Sequence, residues 1–134
     1  MINDKQIIEI LKESKAIAVV GCSRDPEKDA HKVPKYLKEH GYKIVPVNPF
    51  ADEILGERVY KTISEIKEPI DIIDIFRPSA ECFQIVKEAL ELKPKVIWMQ
   101  LEIKNMEAAR LAEGSGIKVI MDKCIMIEHK RLIK

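Results

Sequence analysis

At 134 residues, 46% hydrophobic and 34% charged, the chain has the composition of one globular domain and not of a disordered segment. Its 23 basic and 22 acidic residues leave a net charge of +1, which excludes the broad basic surface of a general nucleic-acid or anionic-membrane binder. Three cysteines, Cys22, Cys82 and Cys124, odd in number and without CxxC spacing, argue against a disulfide framework or a structural zinc site. No apolar run reaches the length of a membrane span, and the opening MINDKQ lacks the layout of a signal peptide, so a cytoplasmic protein is expected. Abundant Lys, Glu and Ile with scarce Asn and Gln are the pattern of a heat-adapted source. There is no repeat, low-complexity stretch or Gly/Ser linker, so residues 1–134 are expected to form a single domain.

Two kinds of segment alternate along the chain. Residues 3–13 place Ile7, Ile8, Ile10 and Leu11 on one stripe of a predicted helix. Ala16–Val20 (AIAVV) is too short for a helix and wholly apolar, as a strand buried on both faces would be. Residues 29–40 gather Val33, Tyr36 and Leu37 on a helix that Gly41 stops. Lys43–Val47 (KIVPV) and residues 70–76 (IDIIDIF) read as the next two strands. Residues 79–92 form a helix with Ser79 as cap and Glu81 in its first turn. Val96–Met99 (VIWM), a helix over 105–113 ending at Gly114 and Gly116, a strand over 118–121 and a closing helix over 124–132 complete the series.

Strand–helix alternation with short connections predicts an α/β fold: a Rossmann-like, doubly wound parallel five-stranded sheet with helices on both faces. Strand order 3-2-1-4-5 is preferred over the flavodoxin-like 2-1-3-4-5. Either order puts a ligand beyond the carboxyl ends of the strands, where the order reverses.

The strand ends carry the candidate residues. After the first strand, Gly21 lets backbone amides approach an anion, Cys22 follows, Ser23 adds a hydroxyl, and Arg24 and Lys28 add cations before a helix start. A G-x-G-x-x-G fingerprint would need glycines at 23 and 26, where Ser23 and Pro26 stand. The acidic residue that would hold a ribose after the second strand is Asn48. NAD is therefore disfavoured. At the second end Pro46, Val47, Asn48 and Pro49 make a stiff apolar ledge with one amide side chain. At the third, Phe76 precedes Arg77, which Pro78 fixes in an extended conformation suited to phosphate. Asp71 reads as a strand-start residue and Asp74 as hydrogen-bonded within the domain. Trp98 reads as core and Gln100 as the polar floor of the pocket; Lys123 and Cys124 read as structural. The three histidines, His31, His40 and His129, read as solvated or capping, and no catalytic triad or carboxylate pair is defined by spacing.

Taken together, VVGCSRDPEKDAHKVPKYLKEHGYKIVPVNP, ILGERVY, DIIDIFRP, VIWMQL and VIMDKCIMIEH resemble the single-domain CoA-binding protein family, related to the CoA-binding domain of the succinyl-CoA synthetase alpha subunit. The resemblance covers roughly residues 3–132. It implies that coenzyme A lies across the first three strand ends: Gly21, Cys22 and Ser23 on the diphosphate, Lys28 on phosphate, Val47 and Asn48 beside the nucleoside, and Phe76, Arg77 and Pro78 closing the other side. The pantetheine arm would run toward Gln100. The family usually has a small residue such as alanine where this chain has Cys22; a thiol near an anion site and a helix start could have a lowered pKa and form a mixed disulfide with CoA, although a small buried hydrophobe is the plainer reading. The synthetase subunit also needs a further domain with a phosphorylated histidine, which lies outside the resemblance. The expectation is a binder of coenzyme A, acyl-CoA or CoA disulfide without catalytic machinery, serving storage, sensing or delivery, as a monomer or small homo-oligomer. A small NAD(P)-binding redox sensor or oxidoreductase is the alternative. A receiver-type signalling module ranks last, because it would need acidic residues after the first strand and an aspartate ending the third.

Overall fold

The computed structural model describes residues 2–134. Asn3 caps the first helix: its side chain accepts from Gln6 N at 2.9 Å while Gln6 Oε1 accepts from Asn3 N at 3.0 Å. In chain order the elements are α1 (Asp4–Glu13), β1 (Ala16–Val20), α2 (Asp29–Glu39), β2 (Lys43–Val47), a short hairpin of β3 (Glu53–Ile54) and β4 (Glu57–Arg58), β5 (Ile72–Ile75), α3 (Cys82–Ala89), β6 (Val96–Met99), α4 (Met106–Gly114), β7 (Lys118–Ile120) and α5 (Ile125–Leu132).

Five strands form one parallel sheet in the order β2-β1-β5-β6-β7. Among the five expected strands this is 2-1-3-4-5, so the expected order 3-2-1-4-5 is corrected. The physical reason lies in the segment after β4. It returns to the outer edge of β2 only as a single parallel bridge, Val47 to Tyr60. There Asn48 N donates to Tyr60 O and Tyr60 N to Pro46 O, both at 3.0 Å. Counting that stub, the path is Rossmann-like with its outermost strand reduced to one residue. The same bridge explains a proline inside β2. The Pro46 carbonyl faces this outer edge, so its missing N–H faces outward too, where no full ladder needs it.

Successive strand residues feed two cores. Ala18, Val20, Val45, Ile73, Ile75, Ile97 and Met99 pack under α3 and α4; Ile17, Val19, Ile44, Ile72, Val96 and Trp98 pack under α1, α2 and α5. Each such large side chain contributes about 1.5–3 kcal/mol on burial. Trp98 is core as expected, its Nε1–H donating to Lys123 O at 2.8 Å.

Four local expectations are corrected. The 79–92 helix breaks into a 3₁₀ turn Ser79–Glu81, α3, and a 3₁₀ turn Leu90–Leu92. Ser79 is not its cap, because its Oγ accepts from Lys104 N at 2.9 Å and its carbonyl accepts from Asn105 Nδ2 at 2.9 Å. His129 is buried, 6% exposed, and shares a 2.8 Å hydrogen bond with the Tyr36 hydroxyl across α2 and α5. Asp74 is not hydrogen-bonded: it is 0% exposed and neither carboxyl oxygen has a partner among the described residues. Asp71, by contrast, accepts from Lys15 N at 2.8 Å and Ala16 N at 3.0 Å, at the strand starts as expected.

Candidate functional site

Strand order reverses between β1 and β5, so the loops leaving them diverge and open a crevice at their carboxyl ends. Gly21 makes that possible. Its φ is +87°, its N–H donates to Val47 O at 3.0 Å, and a Cβ there would stand 2.7 Å from Phe76 O and 2.8 Å from Arg77 Cδ. Both the left-handed backbone and the close approach of the β5 loop require glycine.

Beyond Gly21 the loop closes on itself. Ser23 Oγ accepts from Asp25 N and Ser23 N donates to Ala30 O, both at 3.0 Å, and His31 Nδ1 is 2.8 Å from Ser23 O. Lys28 is the N-cap of α2, makes no capping bond with its side chain, and lines the crevice. It makes no ion pair among the described residues. The first amides of a helix have no intrahelical acceptor, and Ala30, in that first turn, also lines the crevice.

The crevice measures about 500 Å³. From the first strand end it receives Gly21, Cys22, Ser23 and Lys28; from the second Val47, Asn48 and Pro49; from the third Phe76 and Arg77. The structure brings these nine together from three segments, as the sequence suggested. Three others lie elsewhere. Arg24 and Pro78 are exposed and do not line it. Gln100 is 4% exposed, and its Oε1 accepts from Ile125 N at 3.1 Å, holding the start of α5. Its amide is therefore a helix anchor and not a pocket floor, which corrects that expectation.

Sequence reasoning missed Val20, Ala30, Phe50, Lys61, Thr62, Ile63, Glu81, Ile85 and Glu88 in the lining. Phe50 is 82% exposed at the crevice, and a large aromatic directly after a Pro-fixed turn was a usable signal. Lys61 gave none, because only the Tyr60 bridge brings its segment back beside β2. Its Nζ donates to Ala51 O at 2.7 Å and Asp52 Oδ1 at 2.9 Å. Asn48 clamps two loops: its Nδ2 donates to Cys22 O at 2.9 Å while its Oδ1 accepts from Phe50 N at 2.7 Å and Ala51 N at 3.2 Å. That side chain shapes the wall and leaves little for a ligand.

Three cations, Lys28, Lys61 and Arg77, face two carboxylates, Glu81 and Glu88, in the lining. Arg77 and Glu81 form a bidentate pair; the guanidinium holds the Glu81 carboxyl below its usual range, and the carboxylate raises Arg77. The Cys22 thiol points the other way, into the core, and its pKa is pushed up to about 12 by burial and by Asp74. The plainer reading of Cys22, a small buried hydrophobe, holds at 0% exposure, and the alternative of a lowered pKa does not, because the thiol, unlike the backbone of Cys22, sits away from the anion loop. The described residues hold no group of three or more His, Cys, Asp or Glu placed for a metal ion, and no helix among them is long and apolar enough to cross a membrane. What the arrangement can do is hold an anionic ligand against fixed backbone, between two proline-stiffened turns.

Known proteins carry the same chain plan. The protein YneT of Bacillus subtilis (strain 168) is 43% identical over 124 residues, 92% of each chain. The alpha subunit of ADP-forming acetate–CoA ligase II from Pyrococcus furiosus is 30% identical over 124 residues, 84% of this chain but 27% of that subunit. The structure of a hypothetical protein from Pyrococcus horikoshii OT3 superposes with a TM-score of 0.96 at 39% identity, covering 99% of this chain and 94% of that one. The CoA binding domain family matches residues 15–130, which include every strand of the sheet and all the loops that line the crevice, and this chain belongs to it.

Proposed function

We propose that the chain binds coenzyme A, as free thiol, acyl thioester or disulfide, at the carboxyl ends of β1, β2 and β5, and has no catalytic machinery of its own. The observation that carries the reading is Gly21: a backbone turn held at φ +87° against the β5 loop leaves no room for a side chain beside the cations of the crevice. Such a surface suits a ligand whose charge is concentrated in phosphoryl groups. In this reading the Cys22 amide, opened to the ligand by the turn at Gly21, and the Ser23 hydroxyl meet the diphosphate, Lys28 and Arg77 pair with phosphoryl oxygens, and Val47, Pro49 and Phe50 flank the nucleoside. The role is storage, sensing or delivery of CoA or acyl-CoA in the cytoplasm.

An NAD(P) site is the second reading, and Asn48 speaks against it. An acidic side chain would be needed there to hold a ribose, and the amide that replaces it is bonded to the loops on either side. Thermal unfolding with each ligand separates the two. At about 100 times its dissociation constant, a ligand that binds only the native state adds about 2.7 kcal/mol. Coenzyme A is expected to raise the Tm and NAD to leave it unchanged; equal shifts, or none with coenzyme A, would overturn the assignment.

A further inference from the structure

Arg77 does not project freely into the crevice. Its Nε donates to Glu81 Oε1 at 3.0 Å and its NH2 nitrogen to Glu81 Oε2 at 2.9 Å, two parallel bonds from one edge of the guanidinium. This is the fork that also grips two phosphoryl oxygens. Both residues line the crevice. The inner part of the Arg77 arm lies on the anion loop: a Cβ built on Gly21 would meet its Cδ at 2.8 Å and its Cγ at 3.2 Å. Rotating the outer torsions alone can therefore move the guanidinium, with its stem still seated over Gly21. Glu81 is held by the 3₁₀ turn Ser79–Glu81 that follows Pro78.

We propose that Glu81 is a built-in competitor for the ligand's phosphate. Its carboxylate occupies the donor edge of Arg77, and binding proceeds by exchange of that carboxylate for a phosphoryl group. The proposal rests on the crevice being the coenzyme A site. The exchange runs toward the ligand because the two side chains are 47% and 46% exposed. An exposed carboxylate pair is weak and screened, whereas a phosphoryl group held by Arg77, Lys28 and backbone amides is gripped at several points. Glu81 thus sets how tightly the ligand is held, and keeps it releasable. If the pair instead served to hold Arg77 in place for the ligand, removing the carboxylate would have the opposite effect.

The test is calorimetric titration of coenzyme A into the wild type, Glu81→Gln, Arg77→Ala and the double variant. Glu81→Gln is expected to bind about two- to five-fold more tightly than wild type, the range that an exposed ion pair spans. In the Arg77→Ala background the same change is expected to alter affinity less than about 1.5-fold, because no donor edge remains to compete for. Weaker binding by Glu81→Gln would make Glu81 a positioning residue and overturn the proposal. Equal tightening in both backgrounds would reduce Glu81 to simple repulsion and overturn it also. A wild type that binds no coenzyme A would instead overturn the reading of the crevice, and the competition with it.

Discussion

Two hollows among the described residues are nearly equal in size and both carry cations, yet they are built differently. The crevice between β1 and β5 measures about 500 Å³ and the groove beside β7 about 530 Å³. Loops from three separate strands meet at the first, together with the segment that bridges back at Tyr60. The second lies against the last strand of the sheet, with Ile7 of α1, Met106 and Ala109 of α4 and Val119 of β7 in its walls. Lys104 and Lys123 give it cations too. Volume and charge therefore do not single out a site. What separates the two is the point where strand order reverses, which lets adjacent loops diverge, and a glycine whose backbone is exposed there for want of a side chain.

The largest test of that contrast compares two glycines. Gly21→Ala forces a left-handed backbone on an L residue and drives its Cβ to 2.7 Å from Phe76 O. Positive φ costs about 1–2 kcal/mol and overpacking a further 1–3, so a loss of about 2–5 kcal/mol is expected in urea unfolding. Gly114 lies in α4, next to the groove residue Glu113, and a Cβ there meets nothing within 4 Å. Gly114→Ala is expected to gain about 0.5–1 kcal/mol, by removing unfolded-chain freedom. An unchanged midpoint for Gly21→Ala would mean that the loop gives way and that the crevice is not preformed.

Much of this contrast was legible in the sequence, and what was not has a common cause. Strands such as Ala16–Val20 are read directly, because burial on both faces leaves no polar residue in them. The turns at Gly21, Asn48 and Arg77 are local events, set by glycine and proline, and the structure brings all three to one crevice. Strand order was misread because it depends on how much of the segment after β4 pairs, and a one-residue bridge at Tyr60 leaves no pattern. Lys61 escaped for the same reason. Gln100 was misplaced because a polar residue after a strand serves a helix start as readily as a pocket; only its bond to Ile125 N tells which. Cys22 divides between the two readings: its 0% exposure fits the small buried hydrophobe, and only the reactive thiol beside the anion loop fails. A residue at a strand end can offer its amide to a ligand and its side chain to the core.

The next test moves one cation at a time. Lys28→Ala is expected to weaken coenzyme A binding by about 1.5–3 kcal/mol, the worth of a charge-assisted bond to a phosphoryl group. Lys104→Ala, in the other hollow, is expected to change it by less than about 0.5 kcal/mol, as for a surface substitution away from the ligand. Calorimetric titration reads both. If the two variants lost affinity equally, net positive charge and not the geometry of the crevice would be attracting the ligand.

The finest difference is in the strands beneath the two hollows. β5, which ends at the crevice, carries Asp74 wholly inside the protein, and β7 carries no acidic residue. Burial without a partner holds the Asp74 carboxyl well above the ordinary aspartate range. In the unfolded chain it ionises near pH 4, while in the native state it keeps its proton. As pH rises past about 4 the unfolded state thus binds fewer protons at this position, and the native state loses stability relative to it until the pH passes the folded value. Asp71 and Glu68 work in the opposite sense, since their depressed pKa values add stability as pH rises through the acid range. The net pH curve of the wild type is a sum and does not isolate Asp74; the difference between wild type and Asp74→Asn does. That difference is expected to shift steadily in favour of the variant from about pH 4 toward neutrality, whatever the absolute cost of a buried amide. A parallel pair of curves in urea unfolding between pH 4 and 8 would mean that the carboxyl finds a proton donor or water in solution, and that the interior around β5 is less dry than its packing implies.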